Sequence, residues 1–129
     1  PTRRGAAFVA LREDGAVLLR QRKDNGLLGG MTEVPGTEWS ASFDDVRALD
    51  LAPFDAAWVP VAAPVVHVFT HFRLELNVYC ARVSGMAHAS GGGWWATAEA
   101  LPGEALPSVM KKAIEAALPG ATRKRKRAA

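Results

Sequence analysis

Few side chains in this 129-residue sequence are of a kind that does chemistry, and their spacing narrows what that chemistry could be. Cys80 is the single cysteine, which excludes an intrachain disulfide, a cysteine-rich zinc site and a four-cysteine iron–sulfur cluster within the chain. His67 and His88 have no cysteine or carboxylate at ligand spacing, so neither suggests a metal. Asp44, Asp45, Asp50 and Asp55 are concentrated in one stretch but read as helix N-terminal and solvated charges. Thr70 and His71 place a hydroxyl beside an imidazole, a pair able to donate and accept hydrogen bonds. Taken alone, they also fit an ordinary strand threonine and a surface histidine. Gly29-Gly30 would let backbone approach a phosphate, and turn geometry accounts for it equally well. Trp94-Trp95 could stack on a base, although paired tryptophans beside a helix are more often core material, and Lys111 and Lys112 read as solvated charges.

The charge balance sharpens this reading. The formal net charge is +3, and the run Arg123-Lys124-Arg125-Lys126-Arg127 supplies five positive charges, which leaves the remainder at −2. The folded body is therefore not a basic surface overall. The run is either a solvated, disordered tail over residues 121–129 or a phosphate-contacting extension.

The elements that must position these residues are marked by period and punctuation. Residues 5–11 and 16–20 are strand-like runs around Arg12-Glu13-Asp14-Gly15, and Asp-Gly between such runs predicts a hairpin. Asp24 to Gly30 gathers turn formers around two leucines, which predicts a structured, partly anchored loop. A short strand Met31-Thr32-Glu33-Val34 should stop at Pro35-Gly36. Residues 37–64 are the least regular, with one short helix expected over Phe43 to Leu51, N-capped by Ser42 with Asp44 and Asp45 in its first turn. From residue 65 to 83, Val66, Val68, Thr70, Phe72, Leu74, Leu76, Val78 and Cys80 share one parity, which predicts sheet with one buried face. So long a strand should be divided, and Phe69-Thr70-His71 is the expected break. Ala89 to Gly93 reads as a linker, after which Trp94-Trp95 opens a segment with Ala98 to Leu101. Leu106, Val109, Met110, Ala113, Ile114, Ala117 and Leu118 form a helical stripe over 107–118, with Pro107 in the first turn and Pro119-Gly120 as the stop. No internal repeat is present.

With 49% hydrophobic residues, the chain can build one core, expected over residues 1–120. It contains no run of about 18 apolar residues and no apolar signal region after Pro1-Thr2-Arg3-Arg4, which points away from membrane insertion and secretion and towards a bacterial cytoplasmic, nucleoid-associated setting. The missing initiator methionine raises the expectation of further sequence upstream.

Three segments carry a family resemblance. Leu27-Leu28-Gly29-Gly30-Met31-Thr32-Glu33-Val34-Pro35-Gly36-Thr37-Glu38-Trp39 resembles the LLGG-x-W-E-x-PG segment of the C-terminal domains of MutY-type adenine DNA glycosylases. His67-Val68-Phe69-Thr70-His71-Phe72 is similar to that family's H-x-F-[ST]-H-F segment, and Leu106 to Lys112 is similar to its ALP-x-x-MKK helix start. The motifs occur in family order and, with the opening hairpin, span roughly residues 4 to 118. Thr32 departs from the pattern, standing where the family usually has a large aromatic.

The resemblance implies an α/β fold, a Nudix-like α/β/α sandwich with a mixed sheet. A Nudix hydrolase needs a Gly, a Glu after five intervening residues, then Arg-Glu and a Glu pair, so that carboxylates hold divalent metal against a pyrophosphate. Counting from Gly36 puts Ser42 at the first acidic position and Asp50-Leu51 at the Arg-Glu pair, so no catalytic or metal site is expected. The resemblance implies instead a domain that is not itself catalytic and reads 8-oxoguanine opposite adenine, while a separate catalytic domain with a 4Fe-4S cluster removes the adenine. By the motif match, Phe69, Thr70 and His71 read the lesion and Leu28, Gly29 and Gly30 approach the DNA. The partners implied are double-stranded DNA and the catalytic domain, the chain itself being a monomer without a cofactor. The alternatives are a Nudix pyrophosphohydrolase acting on oxidised nucleotides, or a Nudix-like protein-interaction module.

Overall fold

Two long strands run parallel through the centre of the sheet, β1 (Thr2–Arg12) and β6 (Arg73–Val83), in register from Thr2 opposite Arg73 to Arg12 opposite Val83. The computed structural model describes residues 1–23, 26–84 and 92–123. On the free edge of β1 lies antiparallel β2 (Val17–Gln21), whose own outer edge carries β3 (Thr32–Glu33) and β7 (Trp94–Ala96) one after the other. The outer edge of β6 is likewise shared by two short antiparallel strands, β4 (Val59–Pro60) and β5 (Val65–Val68). The sheet is mixed and the fold is α/β, as the family resemblance implies.

The apolar run of β1 explains its central place. Gly5 through Ala10 are all buried, as expected of a strand covered on both faces. Ala7 and Val9 point into the main core with Val17, Leu19, Leu74, Leu76 and Val78. That face is covered by α1 (Ser108–Ala117), which inserts Val109, Met110, Ala113 and Ile114. Full burial of a side chain such as Ile114 contributes about 1.5–3 kcal/mol, so this stripe fixes the helix more firmly than its intrinsic propensity does. Ala6 and Phe8 point to the opposite face, where Ala48 closes a smaller core beside Phe43, Trp58 and Tyr79.

Several expectations are corrected. The helix expected over Phe43 to Leu51 is a 3₁₀ helix, Asp45–Leu51, and its N-cap is Asp44, whose Oδ1 accepts from the Val46 amide at 3.0 Å. Ser42 lies too far upstream to cap a turn that begins at Asp45. Trp94-Trp95 forms β7, paired with Leu19 and Leu18 of β2. Trp94 packs against the main core, in line with the expectation of core material, and donates from Nε1 to Glu104. Pro107 is the N-cap residue of α1, one position before its first turn. The shared parity of residues 66–80 does not survive the turn. Val65 lies opposite Leu76 and His67 opposite Leu74, and directly opposed residues share a face. Odd-numbered residues of β5 thus face the core with even-numbered residues of β6, and Val68 is 70% exposed. Asp24, Asn25, His88, most of the Ala89 to Gly93 linker and residues 124–129 of the basic tail lie outside the described residues.

Candidate nucleic-acid interface

The β5–β6 hairpin ends at the expected break. Beyond the Val68–Arg73 pair, the Phe69 amide donates to the Phe72 carbonyl at 2.8 Å, leaving Thr70 and His71 as a two-residue tip. Both are exposed, so neither is the strand residue its composition alone would suggest.

Phe69 is the base on which this tip stands. It is half-buried against the main core, with ring centroids 4.9 Å from Phe72, 4.7 Å from His67 and 6.0 Å from Trp39. Three cations hold the outer rings of this cluster. Arg3 lies over Phe72 and Arg22 over Trp39, each at 4.2 Å from the ring centre. Lys112 Nζ lies 3.0 Å from His67 Nδ1 and 3.4 Å from the Val66 carbonyl, so Lys112 is tied to the hairpin rather than simply solvated. An ammonium only donates, so His67 Nδ1 accepts and the ring proton sits on Nε2. Burial, with the nearby Lys112 charge second, pushes His67 below its ordinary range and keeps it neutral, consistent with that direction.

The Leu27 to Gly30 loop is fastened to the same cluster. Its turn needs positive φ at Gly26, Leu28 and Gly30, of which only Leu28 is a residue that resists it. Leu28 packs against the main core, which offsets that strain, while Leu27 stays exposed. Arg22 is the fastening. Its Nε donates to the Leu27 carbonyl at 2.9 Å and its Nη1 to Glu33 at 2.9 Å, while its guanidinium covers Trp39. Glu33 is the one buried charged residue among those described, and Arg20 Nε also donates to it at 2.7 Å. Two segments some forty residues apart in sequence are thus joined through Arg22, Trp39 and Phe69.

Sequence alone assigns these connecting residues no role. Trp39 and Glu33 lie inside a motif without a stated function, Arg3 and Arg22 stand out by no spacing, and Lys112 reads as solvent-facing. One signal does exist: Arg20 and Arg22 alternate along the chain from β2, which puts both on one side to meet a carboxylate from β3.

Beside the loop, Arg20, Gln21, Arg22, Lys23, Gly26, Glu33, Gly36, Thr37 and Glu38 line an open polar groove of about 780 Å³. Among the described residues, no three His, Cys, Asp or Glu side chains gather closely enough to hold a metal. Ser42, Asp50 and Leu51 are exposed, and the aspartates nearby have structural partners: Asp44 caps the 3₁₀ helix, and Asp45 accepts from Asn77 Nδ2 at 3.0 Å. Arg123 is exposed at the end of the described chain, and Lys124 to Arg127 lie outside it.

A NUDIX domain family model matches residues 6–116. The chain is 30% identical to the adenine DNA glycosylase of Homo sapiens over 126 residues, covering 87% of this chain and 23% of that protein. It spans about a quarter of the length of the curated relatives it matches. Among solved structures, the C-terminal domain of mouse MUTYH, in complex with human PCNA, superposes with a TM-score of 0.72 at 26% identity, over 89% of this chain and 86% of that one. The MutT protein of Methanosarcina mazei Go1 gives a TM-score of 0.67 at 19% identity, over 89% of this chain and 91% of that one, a likeness of fold alone.

Proposed function

This chain belongs to the Nudix domain family, and we propose that it acts as the lesion-reading domain of an adenine DNA glycosylase, recognising 8-oxoguanine opposite adenine while a separate catalytic domain excises the adenine. The observation that carries this reading is the exposed Thr70-His71 tip, held on a buttressed aromatic base in a chain similar to adenine DNA glycosylases. The oxidised base differs from guanine by a hydrogen on N7 and a carbonyl at C8. A hydroxyl can accept from that N7 hydrogen, and an imidazole N–H can donate to O8. Rigid support matters because the two bases differ only at these atoms, and a loosely held donor would discriminate poorly.

The test is replacement of Thr70 and His71 by Ala, singly and together, in the intact glycosylase. Each lost hydrogen bond to a neutral partner is worth about 0.5–1.5 kcal/mol, so each change should narrow the preference for adenine opposite 8-oxoguanine over adenine opposite guanine by roughly 2- to 12-fold. Both side chains are exposed, so thermal stability should stay within about 0.5 kcal/mol. A folded double variant with undiminished discrimination would refute the assignment. The competing reading, hydrolysis of oxidised nucleotides, has no acid at position 42 or 51 on which to build the metal site. Turnover of 8-oxo-dGTP with magnesium or manganese, lost on replacing the aspartates near the 3₁₀ helix, would establish it instead.

A further inference from the structure

The body of the domain carries little net charge, and both of its faces carry both signs, with Arg47 beside Asp44 on the 3₁₀ helix and Glu115 on α1 with Lys111 and Lys112. The face with the 3₁₀ helix bears Asp44, Asp45 and Asp50, all exposed, and Asp45 is bonded to Asn77 on that side of β6. On the opposite face, at the end where the hairpin tip projects, Arg3 covers Phe72 and Lys112 is bonded to His67. Each of these cations is one aromatic ring away from Phe69, the base of the tip.

Among the described residues, Arg4, Arg12, Arg20, Arg22, Arg47 and Arg73 each face a carboxylate within 4.0 Å. Among the described residues Lys23, Arg82, Lys111 and Arg123, like Arg3 and Lys112, face no carboxylate within 4.0 Å, and Arg3 and Lys112 differ from them in being held by a ring, Phe72 and His67 respectively. Arg3 and Lys112 are both exposed. Their ordering comes from an aromatic face and a neutral imidazole, contacts that leave the positive charge uncompensated. A cation held in place without a counter-ion, beside an exposed recognition tip, is suited to an anionic oxygen.

We propose that Arg3 and Lys112 form a phosphate-contacting rim that seats the sugar–phosphate backbone of the lesion-bearing strand against the Thr70-His71 tip. This inference rests on the lesion-reading function above and adds to it a part that carries no sequence or damage information. Phosphate contacts fix register and orientation, whereas the tip supplies discrimination.

The two roles separate experimentally. Binding of the full 129-residue chain to duplexes containing adenine opposite 8-oxoguanine or adenine opposite guanine would be followed by fluorescence anisotropy over a salt series. Removing one phosphate-neutralising cation should reduce the magnitude of the slope of log K against log salt by about 0.9, so the Arg3→Gln/Lys112→Gln double variant should reduce it by about 1.8 and weaken binding roughly 10- to 60-fold at about 0.1 M salt. Both duplexes should weaken by the same factor, leaving their ratio unchanged. Arg47→Gln, on the 3₁₀-helix face and 80% exposed, removes the same kind of charge and should leave the slope unaltered. Lys112→Arg should retain wild-type binding. An unchanged slope in the folded double variant, or an equal drop in Arg47→Gln, overturns the rim. The lesion-reading assignment would survive that outcome if the Thr70 and His71 variants still lose discrimination. No measurable binding of the unaltered chain to either duplex overturns the rim as well.

Discussion

Replacing Glu33 by Gln removes one charge while keeping nearly the same shape, at the point where the Leu27 to Gly30 loop is tied to the aromatic cluster. The Glu33 side chain is 6% exposed and accepts from Arg20 at 2.7 Å and Arg22 at 2.9 Å. A Gln amide can accept from one guanidinium but must turn its own N–H group towards the other, so one charge-assisted bond is lost and a donor faces a donor. Bonds to charged groups are worth about 1.5–3 kcal/mol, and breaking a fully buried pair costs about 3–5 kcal/mol. The arginines are 38% and 23% exposed and can recover some hydration, which moves the expected cost to the low end, about 2 kcal/mol. For a domain of this size that corresponds to a fall in Tm of roughly 6–12 °C. The assay is urea and thermal unfolding of both proteins at neutral pH. Amide exchange should quicken at Gly30, whose N–H bonds to the Arg22 carbonyl, more than in the centre of β6. A change below about 0.5 kcal/mol, with exchange at Gly30 unaltered, would refute the reasoning that this carboxylate fixes the loop.

Two further outcomes follow from local geometry. A Cβ on Gly36 would sit 2.7 Å from the Ala6 carbonyl oxygen, between the hydrogen bonds Phe8 N to Pro35 O and Thr37 N to Ala6 O. Backbone cannot swing aside as a side chain can, so Gly36→Ala should cost about 1–3 kcal/mol in urea unfolding, while Gly103→Ala, with open space around it, should be within about 0.5 kcal/mol of wild type. In the β1–β2 turn, hydrogen bonds from the Arg12 guanidinium, with the Ala16 amide second, hold the Asp14 carboxyl down at about 2 from its ordinary 3.8. A carboxyl depressed in the folded state adds stability above its unfolded pKa that is lost as pH falls through the folded value, so Asp14→Asn should flatten the stability profile between about pH 4 and 2 and lower stability near neutrality. Parallel acid-unfolding curves for the two proteins in that window would count against the assignment.

What the sequence determined by itself was whatever depends on near neighbours. The apolar stripe from Leu106 to Leu118 is a property of ten or so consecutive residues, and α1 forms where it predicts. Asp14-Gly15 marks the first hairpin because Gly15 needs positive φ, and Thr70-His71 interrupts a run too long for one strand. The absence of acids at positions 42 and 51 is likewise a matter of reading and counting. What tertiary structure decided is whatever depends on register and on distant partners. An even-numbered tip reverses parity between β5 and β6, which turns Val68 outwards and His67 inwards, and no periodicity read along one strand contains that information. The 3₁₀ helix takes the place of a longer α-helix where only Ala48 reaches the small core, too little apolar surface to extend it. Arg22 becomes a fastening, and Arg3 and Lys112 become a pair of ring-held cations without carboxylate neighbours among the described residues, only because β1, β2, β5 and α1 meet around Phe69. Coulomb and π interactions act over a few ångströms in space, and the chain separates these partners by tens of residues.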